Sequence, residues 1–252
     1  MRSTLAALGA LTLFGLAIGQ PARADVAAED LPVDAIEGIV RDYLMDNPEV
    51  IYEALEVLQA RRQAEQEEAR KERIAARAAD LFDNPHDPSI GPDDAAVTVV
   101  EFFDYRCGYC RRMIPALRQL INERDDVRIV LKELPVLGEE SVLASRAALA
   151  AHGLDAEAYN ELHFALMGAE DLSRESILQI ASEYGIDADA LAAAMDDQAV
   201  VGLINSNYQL AQELGIEGTP AFVIGDTLVP GAVDLARLNT LIDEAKTSCV
   251  EC

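Results

Sequence analysis

The chain has 252 residues, half of them apolar, and a formal net charge of −25. This length accommodates one sizeable domain and an appendage, and this charge repels nucleic acids, phosphate groups and anionic lipid surfaces. We therefore expect no nucleic-acid partner. The chain contains no tryptophan, and its four cysteines form two C-x-x-C pairs at positions 107, 110, 249 and 252.

Residues 1–24 predict a secretory signal peptide. Arg2 gives a positive start, residues 5–18 form an apolar stretch, and an A-x-A motif follows at residues 22–24. Cleavage after Ala24 would remove two arginines and leave a net charge of −27. No later segment contains the roughly 18 uninterrupted apolar residues that span a bilayer. We expect an exported, periplasmic protein.

Residues 25–82 predict a helical arm. We expect this arm to project from the domain rather than form its core, because most of its apolar face is thin. The best apolar stripe follows helical spacing and comprises Ile36, Ile39, Val40, Tyr43 and Leu44. Asn47-Pro48 then predicts the start of a second helix. The stripe could pack against the chain's own domain or against other copies, and we favour self-association.

The segment 83–94 is rich in proline, glycine and aspartate and predicts a linker. From 95 to 248 the pattern changes to a strand, a helix and a second strand. A helical block follows at about 139–216, and then two short strands and a final helix. This order predicts an α/β domain with a mixed sheet and a helical insertion.

The segment "VVEFFDYRCGYC" places Cys107 where a strand becomes a helix. Free amide groups and the helix dipole at that position favour a thiolate, which is the reactive form of cysteine. Cys110 lies one turn later, close enough to form a disulfide with Cys107. Two other interpretations remain: a structural disulfide, which export permits, and a thiolate site for copper or zinc.

Three separated motifs resemble the DsbA-like branch of the thioredoxin-fold family over about residues 95–247. They are "VVEFFDYRCGYC", "LKELPVLG" at 131–138 and "GIEGTPAFVIG" at 215–225. The resemblance implies a thioredoxin fold with a helical insertion, preceded here by the α-helical N-terminal arm.

The resemblance also implies roles for individual residues. Cys107 and Cys110 would be the catalytic pair, and Glu101 a partly buried acid that assists proton movement. A cis Thr219-Pro220 bond would present the backbone that binds an extended substrate peptide. Gly108 and Tyr109, which lie between the cysteines, are further candidate substrate-binding residues. The most oxidising members have Pro-His between the cysteines, so Gly108-Tyr109 predicts a milder redox potential.

The arm, with "YLMDNPEVIYEALEVLQ" at 43–59, resembles the N-terminal segment of ScsC-type members, which implies a homo-oligomer. The expected function is an exported thiol–disulfide oxidoreductase, an oxidase or isomerase acting on proteins that contain cysteines. We expect no cofactor and no metal, since the Cys107–Cys110 disulfide is itself the redox centre. A membrane redox partner would reset the dithiol.

The tail at 249–252, "CVEC", allows three interpretations: a local disulfide, a second exchange pair, or a soft site for Cu(I) or zinc. Two other functions compete with the oxidoreductase. One is a copper- or zinc-handling binding protein that uses C-x-x-C thiolates, and the other is a structural oligomer in which the cysteines are staples.

Overall fold

The computed structural model describes residues 32–248, so the predicted signal peptide and the 249–252 tail lie outside the described residues. The chain divides into two compact units, the first ending at Ala60 and the second beginning at Arg61. In chain order the elements are α1 (Val33–Asp46), α2 (Glu49–Ala76), α3 (Ala78–Phe82), β1 (Ser89–Ile90), β2 (Val97–Phe103), α4 (Gly108–Glu123), β3 (Val127–Glu133), α5 (Glu139–Leu154), α6 (Ala156–Gly168), α7 (Arg174–Glu183), α8 (Ala188–Ala194), α9 (Gln198–Leu214), β4 (Ala221–Ile224), β5 (Thr227–Pro230) and α10 (Leu235–Ser248).

The described part of the first unit consists of α1 and the beginning of α2. Asn47 ends α1, where its side-chain amide donates a hydrogen bond of 2.8 Å to the carbonyl of Tyr43. Glu49, directly after Pro48, begins α2, as the Asn-Pro pair predicts. No residue of α1 is buried, and the predicted stripe is exposed in the single chain except for Leu44, which is partly exposed.

In the second unit, five strands form one mixed sheet in the order β1-β3-β2-β4-β5. The central strands β2 and β3 are parallel, and the other pairings are antiparallel. Both central strands are apolar along most of their length because helices cover both faces of the sheet.

The two faces of the sheet have separate apolar cores. On one face, Val99 and Phe103 of β2 pack in a cluster with residues of α4, the inserted helices and α10. On the other face, Val100 and Phe102 pack in a cluster with residues of α3 and α9. The second cluster also contains Ile74 near the end of α2, so the last turns of the predicted arm contribute to the domain core.

The helices α5 to α9 lie between β3 and β4, which confirms the helical insertion predicted at about 139–216. Strand β1 lies inside the stretch predicted as a linker and pairs with β3 through Ser89 and Ile90. Among residues 32–248, the structure contains no helix that combines the length and apolarity needed to cross a membrane.

Candidate active site

The redox loop, residues 104–107, joins the carboxyl end of β2 to α4. Cys107 is the N-cap of α4, and its Sγ accepts a hydrogen bond of 3.5 Å from the amide of Cys110. The Cys107 side chain remains at the edge of the surface, whereas Cys110 is fully buried. Both are free thiols. The predicted position of Cys107 at the strand-to-helix junction is therefore correct, and of the two cysteines it is the accessible one.

The cis-proline loop, residues 216–220, approaches Cys107 from a segment more than 100 residues away. Gly215 ends α9 in a left-handed conformation, and the chain then continues to Thr219 and Pro220. The Thr219-Pro220 peptide bond is cis, as the resemblance implies. The thiol of Cys107 donates to the Thr219 carbonyl oxygen at 3.2 Å. The third sequence motif, residues 215–225, thus meets the first at the Cys107 sulfur.

The pKa of Cys107 lies below its ordinary value. Burial opposes ionisation of the sulfur, but hydrogen bonds from the Thr219 side chain and from the amides of Cys110 and Tyr109 outweigh it. These donors stabilise negative charge on Sγ at the start of a helix. Cys107 is therefore the thiol of the pair that ionises more readily.

The pKa of Cys110 is raised far above its ordinary value, first because the thiol is buried and second because Glu101 is nearby. A buried thiol of high pKa is a poor nucleophile until it loses its proton. The pair is therefore asymmetric, with an ionisable sulfur on a residue that is 6% exposed and a protonated sulfur on a residue that is fully buried.

Glu101 lies in the middle of β2, where it pairs with Leu131 on one side and Phe222 on the other. It is buried, and its Oε1 has no hydrogen-bond partner. Burial, and to a smaller extent the charge of Cys107, raises its pKa to about 8. A carboxyl with such a pKa can exchange a proton at neutral pH, which fits the acid expected beneath the cysteines.

The predicted substrate-facing residues Gly108 and Tyr109 are exposed at the start of α4. The Tyr109 ring lies against the guanidinium of Arg112, 4.0 Å from the ring centroid. A cavity of about 410 Å³ lies beside Thr219 and Pro220 and is also lined by Arg70 of α2. Exposed surface is therefore available at the start of α4 and at the cis-proline loop.

Sequence reasoning missed the roles of two polar residues near the cysteines. Asp104 is fully buried and accepts four hydrogen bonds. Arg111 donates to the carbonyls of Met167 and Ala169 at the end of α6, at 2.8 and 2.9 Å. The signal for Asp104 was its position directly after the buried strand β2.

Within residues 32–248, no group of three or more His, Cys, Asp or Glu side chains is arranged to hold a metal ion. Cys249 and Cys252, which sequence analysis considered for a soft metal site, lie outside that range.

Residues 98–243 match the family model of the DSBA-like thioredoxin domain, which covers more than half of the chain. The chain belongs to the DsbA-like thioredoxin-domain family. Residues 33–65 match a second model, the copper resistance protein ScsC N-terminal domain. These matches confirm the resemblance that the three motifs and the arm indicated, including its ScsC-type character.

Solved structures of this family share the fold. The catalytic domain of Proteus mirabilis ScsC is 33% identical, with a TM-score of 0.65, over 70% of this chain and 98% of that chain. A thioredoxin-like oxidoreductase from Silicibacter pomeroyi DSS-3 is 42% identical, with a TM-score of 0.64, over 67% of this chain and 97% of that chain. The prediction of a thioredoxin fold with a helical insertion and an N-terminal helical region is confirmed.

Among curated relatives, Disulfide bond formation protein D of Bacillus subtilis is 24% identical over 62% of this chain and 76% of that protein. The Na(+)/H(+) antiporter NhaA of Herminiimonas arsenicoxydans is 31% identical over 69% of this chain. This chain spans only 24% to 29% of the length of such antiporters.

Proposed function

We propose that this chain is an exported protein thiol–disulfide oxidoreductase, an oxidase or isomerase, that works through the Cys107–Cys110 dithiol. One observation carries the proposal. The Cys107 sulfur caps α4 and lies 3.2 Å from the Thr219 carbonyl of the cis-proline loop, beside a buried second thiol. This arrangement joins a stabilised thiolate to a backbone edge along which an extended peptide can bind.

In the oxidising direction, a substrate thiolate attacks Sγ of Cys107 in the Cys107–Cys110 disulfide. The bond between the two enzyme sulfurs breaks, Cys110 leaves as a thiolate and takes up a proton, and a mixed disulfide joins Cys107 to the substrate. A second substrate thiolate then attacks the substrate sulfur and releases Cys107 as a thiolate. Two electrons pass from the substrate dithiol to the enzyme.

In the isomerising direction, the reduced enzyme starts the reaction. The Cys107 thiolate attacks a wrong substrate disulfide, which forms a mixed disulfide and frees one substrate thiolate. That thiolate attacks another disulfide of the same protein and frees a further thiolate. A substrate thiolate finally attacks the substrate sulfur of the mixed disulfide, which forms a new substrate disulfide and releases Cys107 as a thiolate. Glu101 is suited to exchange a proton with Cys110, because its carboxyl is buried and its pKa is about 8. Cys110 must lose a proton whenever it resolves a mixed disulfide.

The disulfide is the redox group in this scheme, so the reaction as proposed needs no bound cofactor. Net oxidation of substrates would reduce Cys107 and Cys110, and a membrane redox partner would restore the disulfide. Export is supported by the signal-peptide pattern of residues 1–24. A solved relative from Salmonella enterica is described as a periplasmic thioredoxin-like protein.

Self-association through the first unit is part of the proposal. Four apolar residues of α1 are 41% to 63% exposed in the single chain, namely Ile36, Ile39, Val40 and Tyr43. An apolar stripe of this size is unfavourable in water, and a second copy of the same helix would cover it. An oligomer would bring several redox sites to one misfolded substrate, which suits isomerisation.

The test compares Cys107→Ser and Cys110→Ser in reduction of insulin and in recovery of scrambled ribonuclease. We expect Cys107→Ser to abolish both activities, and Cys110→Ser to accumulate a mixed disulfide that mass spectrometry detects. Exchange retained by Cys107→Ser would remove Cys107 as the nucleophile and contradict the proposal.

The alternative is a copper- or zinc-handling protein, which the description of the N-terminal family model favours. It is tested in a variant in which Cys249 and Cys252 are serine, by competition for Cu(I) with a chromophoric chelator. Disulfide exchange with weak Cu(I) binding supports the oxidoreductase. Tight stoichiometric Cu(I) binding without any exchange supports the alternative.

A further inference from the structure

The redox loop forms a single turn that ends at the reactive cysteine. The Cys107 amide donates to the Asp104 carbonyl at 3.0 Å, and the Arg106 amide donates to the Asp104 carboxylate at 2.7 Å. A hydrogen bond between the first and fourth residues is typical of a β-turn, so Tyr105 and Arg106 occupy its two central positions. Arg106 forms an ion pair with Glu140 near the start of α5. The position of Cys107 therefore depends on the contacts that hold this turn.

Tyr105 anchors the turn in the protein interior. Its side chain is fully buried, and its ring packs edge-on against Phe103 and His163, with ring centroids 5.2 and 5.6 Å away. Its hydroxyl lies 3.2 Å from Oε1 of Glu133 and 3.1 Å from Nδ1 of His163. A tyrosine hydroxyl both donates and accepts, so it can bond to both groups at once. One hydroxyl thus joins the redox loop to the end of β3 and to α6.

Helix α6 also holds the helix that carries the cysteine pair. The carbonyl of Met167, one turn after His163, accepts from Nε of Arg111 at 2.8 Å, and the carbonyl of Ala169 accepts from the same guanidinium at 2.9 Å. Arg111 is the fourth residue of α4. The same element therefore fixes the turn that ends at Cys107 and the helix whose first amides stabilise its sulfur.

We propose that Tyr105 is a positioning residue for the reactive thiol, and that its bond to His163 keeps Sγ of Cys107 within reach of the first amides of α4. The inference rests on the proposed function, since it assigns Tyr105 and His163 a part in stabilising the Cys107 thiolate. Hydrogen bonds from amides stabilise a thiolate only while the donors and the sulfur stay at bonding distance.

His163 acts on Cys107 through Tyr105 rather than through a charge of its own. Burial, and to a smaller extent the charge of Arg118, lowers the pKa of His163 to about 3. Its imidazole is therefore neutral at the pH values at which a cysteine titrates, and it supplies no positive charge to the thiolate. Its effect on the sulfur must then pass through the hydroxyl that it contacts.

Tyr105→Phe tests the anchor, because it removes the hydroxyl and keeps the packed ring. The rate of Cys107 alkylation by iodoacetamide is measured as a function of pH in reduced protein with Cys249 and Cys252 replaced by serine. We expect a higher titration midpoint, so that the rate below the midpoint falls about threefold, a loss within what one hydrogen bond contributes. The reason is that the released turn lets the sulfur move away from its amide donors.

Two replacements of His163 test its part in the anchor. His163→Leu removes the nitrogen and should raise the Cys107 midpoint as Tyr105→Phe does. His163→Asn should restore the wild-type midpoint, because its side-chain amide offers a donor and an acceptor at the same number of bonds from Cα as Nδ1. Adding Tyr105→Phe to His163→Leu should cause no further shift, since both remove the same bond.

Ile186→Val is the control for a loss of stability alone, because it trims a buried residue between α7 and α8. It should keep the wild-type midpoint. An unchanged midpoint in Tyr105→Phe would overturn the positioning role, and so would additive shifts in the double variant or an equal shift in Ile186→Val. If the His163 variants fail to fold, Tyr105→Phe and Ile186→Val decide by themselves.

The wild-type protein is also assayed for reduction of insulin and of 2-hydroxyethyl disulfide. If it reduces neither compound, the proposed function fails. If it reduces them and Tyr105→Phe has the wild-type alkylation midpoint, only the positioning role fails.

Discussion

Three buried carboxyl groups near the redox loop differ in what surrounds them. Asp104 accepts four hydrogen bonds, and Glu133 accepts from the Ser145 hydroxyl at 2.7 Å and the Tyr105 hydroxyl at 3.2 Å. Glu101 leaves one oxygen without a partner. A buried carboxylate without hydrogen-bond donors is unfavourable, so burial favours the protonated form of Glu101. The effect of Glu101 on the stability of the folded protein therefore depends on pH.

Glu101→Gln is expected to remove part of the pH dependence of stability. The pKa of Glu101 is raised from 4.5 to about 8 in the reduced folded protein, so the folded state binds this proton more tightly than the unfolded state. The stabilisation of the folded state by this proton is complete below pH 4.5 and is lost as pH rises through 8. At about 1.4 kcal/mol per pKa unit, the loss amounts to several kcal/mol.

The measurement is urea denaturation of the reduced protein at pH 5 and pH 9. The free energy of unfolding of Glu101→Gln should increase relative to that of the wild type between pH 5 and pH 9. The exposed control Glu244→Gln should have the same pH dependence as the wild type. Parallel stability curves for Glu101→Gln and the wild type would show that Glu101 has an ordinary pKa.

At the residue scale, sequence reasoning placed Cys107 and Cys110 correctly at the start of a helix, because the order of strand and helix fixes their position. The burial of Glu101 was implied by the resemblance, and the structure buries this residue completely rather than partly. It did not predict the burial of Asp104 or Lys132. Both are polar residues whose hydrogen-bond or ion-pair partners lie in distant segments of the chain. No local sequence pattern indicates such partners. The cis geometry at Pro220 came from the resemblance alone, since most X-Pro bonds in folded proteins are trans.

At the element scale, β1 depends on an ion pair buried within the second unit. Lys132 of β3 and Asp87, two residues before β1, are both about 1% exposed at the side chain and form a salt bridge. The Lys132 ammonium also donates to the carbonyl of Asp80 in α3. Burial lowers the pKa of Lys132 and raises that of Asp87, so each charge depends on the other.

Lys132→Met should destabilise the protein by about 3–5 kcal/mol, because it leaves the Asp87 carboxylate buried without a counter-charge. Adding Asp87→Asn should recover much of this loss, since neither charge then remains in the interior. The free energy of unfolding from urea titrations measures both effects. A double variant that is no more stable than Lys132→Met would show that the unpaired Asp87 carboxylate does not cause the destabilisation.

The end of α9 sets the course of the chain into the cis-proline loop. Gly215 has a φ of 73°, a left-handed conformation that is unfavourable for residues with a Cβ. Gly218 is not in that conformation and has open space where a Cβ would lie. The two glycines therefore form a matched pair for substitution.

Gly215→Ala is expected to lower the free energy of unfolding by about 1 kcal/mol, and Gly218→Ala to leave it nearly unchanged. Thermal denaturation of both variants with calorimetry provides the comparison. Equal effects at the two positions would contradict a conformational requirement at Gly215.

Most elements of the second unit could be predicted because their patterns are local. Strands β2 and β3 are long apolar runs, and β4 and β5 flank a Gly-Asp turn. Strand β1 could not be predicted, since it has only two residues in a loop-like sequence and exists through pairing with β3. The last turns of α2 could likewise not be assigned to the core from their alanine-rich sequence, because their burial depends on packing against distant segments.

At the scale of the whole molecule, the proposed assembly depends on the first unit, while the redox site lies entirely in the second. Ile74 and Leu81 are buried in the core of the second unit, and Lys71 and Arg77 form ion pairs with Asp226 and Glu213. A truncation that tests the arm should therefore stop at Ala60, where the first unit ends.

Deletion of residues 25–60 is expected to reduce the oligomer to a smaller species that still oxidises a simple dithiol. In the full chain, replacing both Ile39 and Tyr43 by serine should weaken the assembly through the same stripe, because these changes remove exposed apolar surface. Sedimentation equilibrium measures the masses. If neither change lowers the mass of the oligomer, the proposed role of the first unit is refuted.

The central claim is that the protein holds the Cys107 sulfur as a stabilised thiolate, and its most direct test is the rate of Cys107 alkylation as a function of pH. The measurement uses reduced protein with Cys249 and Cys252 replaced by serine, and peptide mass spectrometry to follow iodoacetamide addition at Cys107. The account predicts a titration midpoint below the ordinary cysteine value of about 8.5, followed by a plateau. A midpoint at or above that value would contradict it.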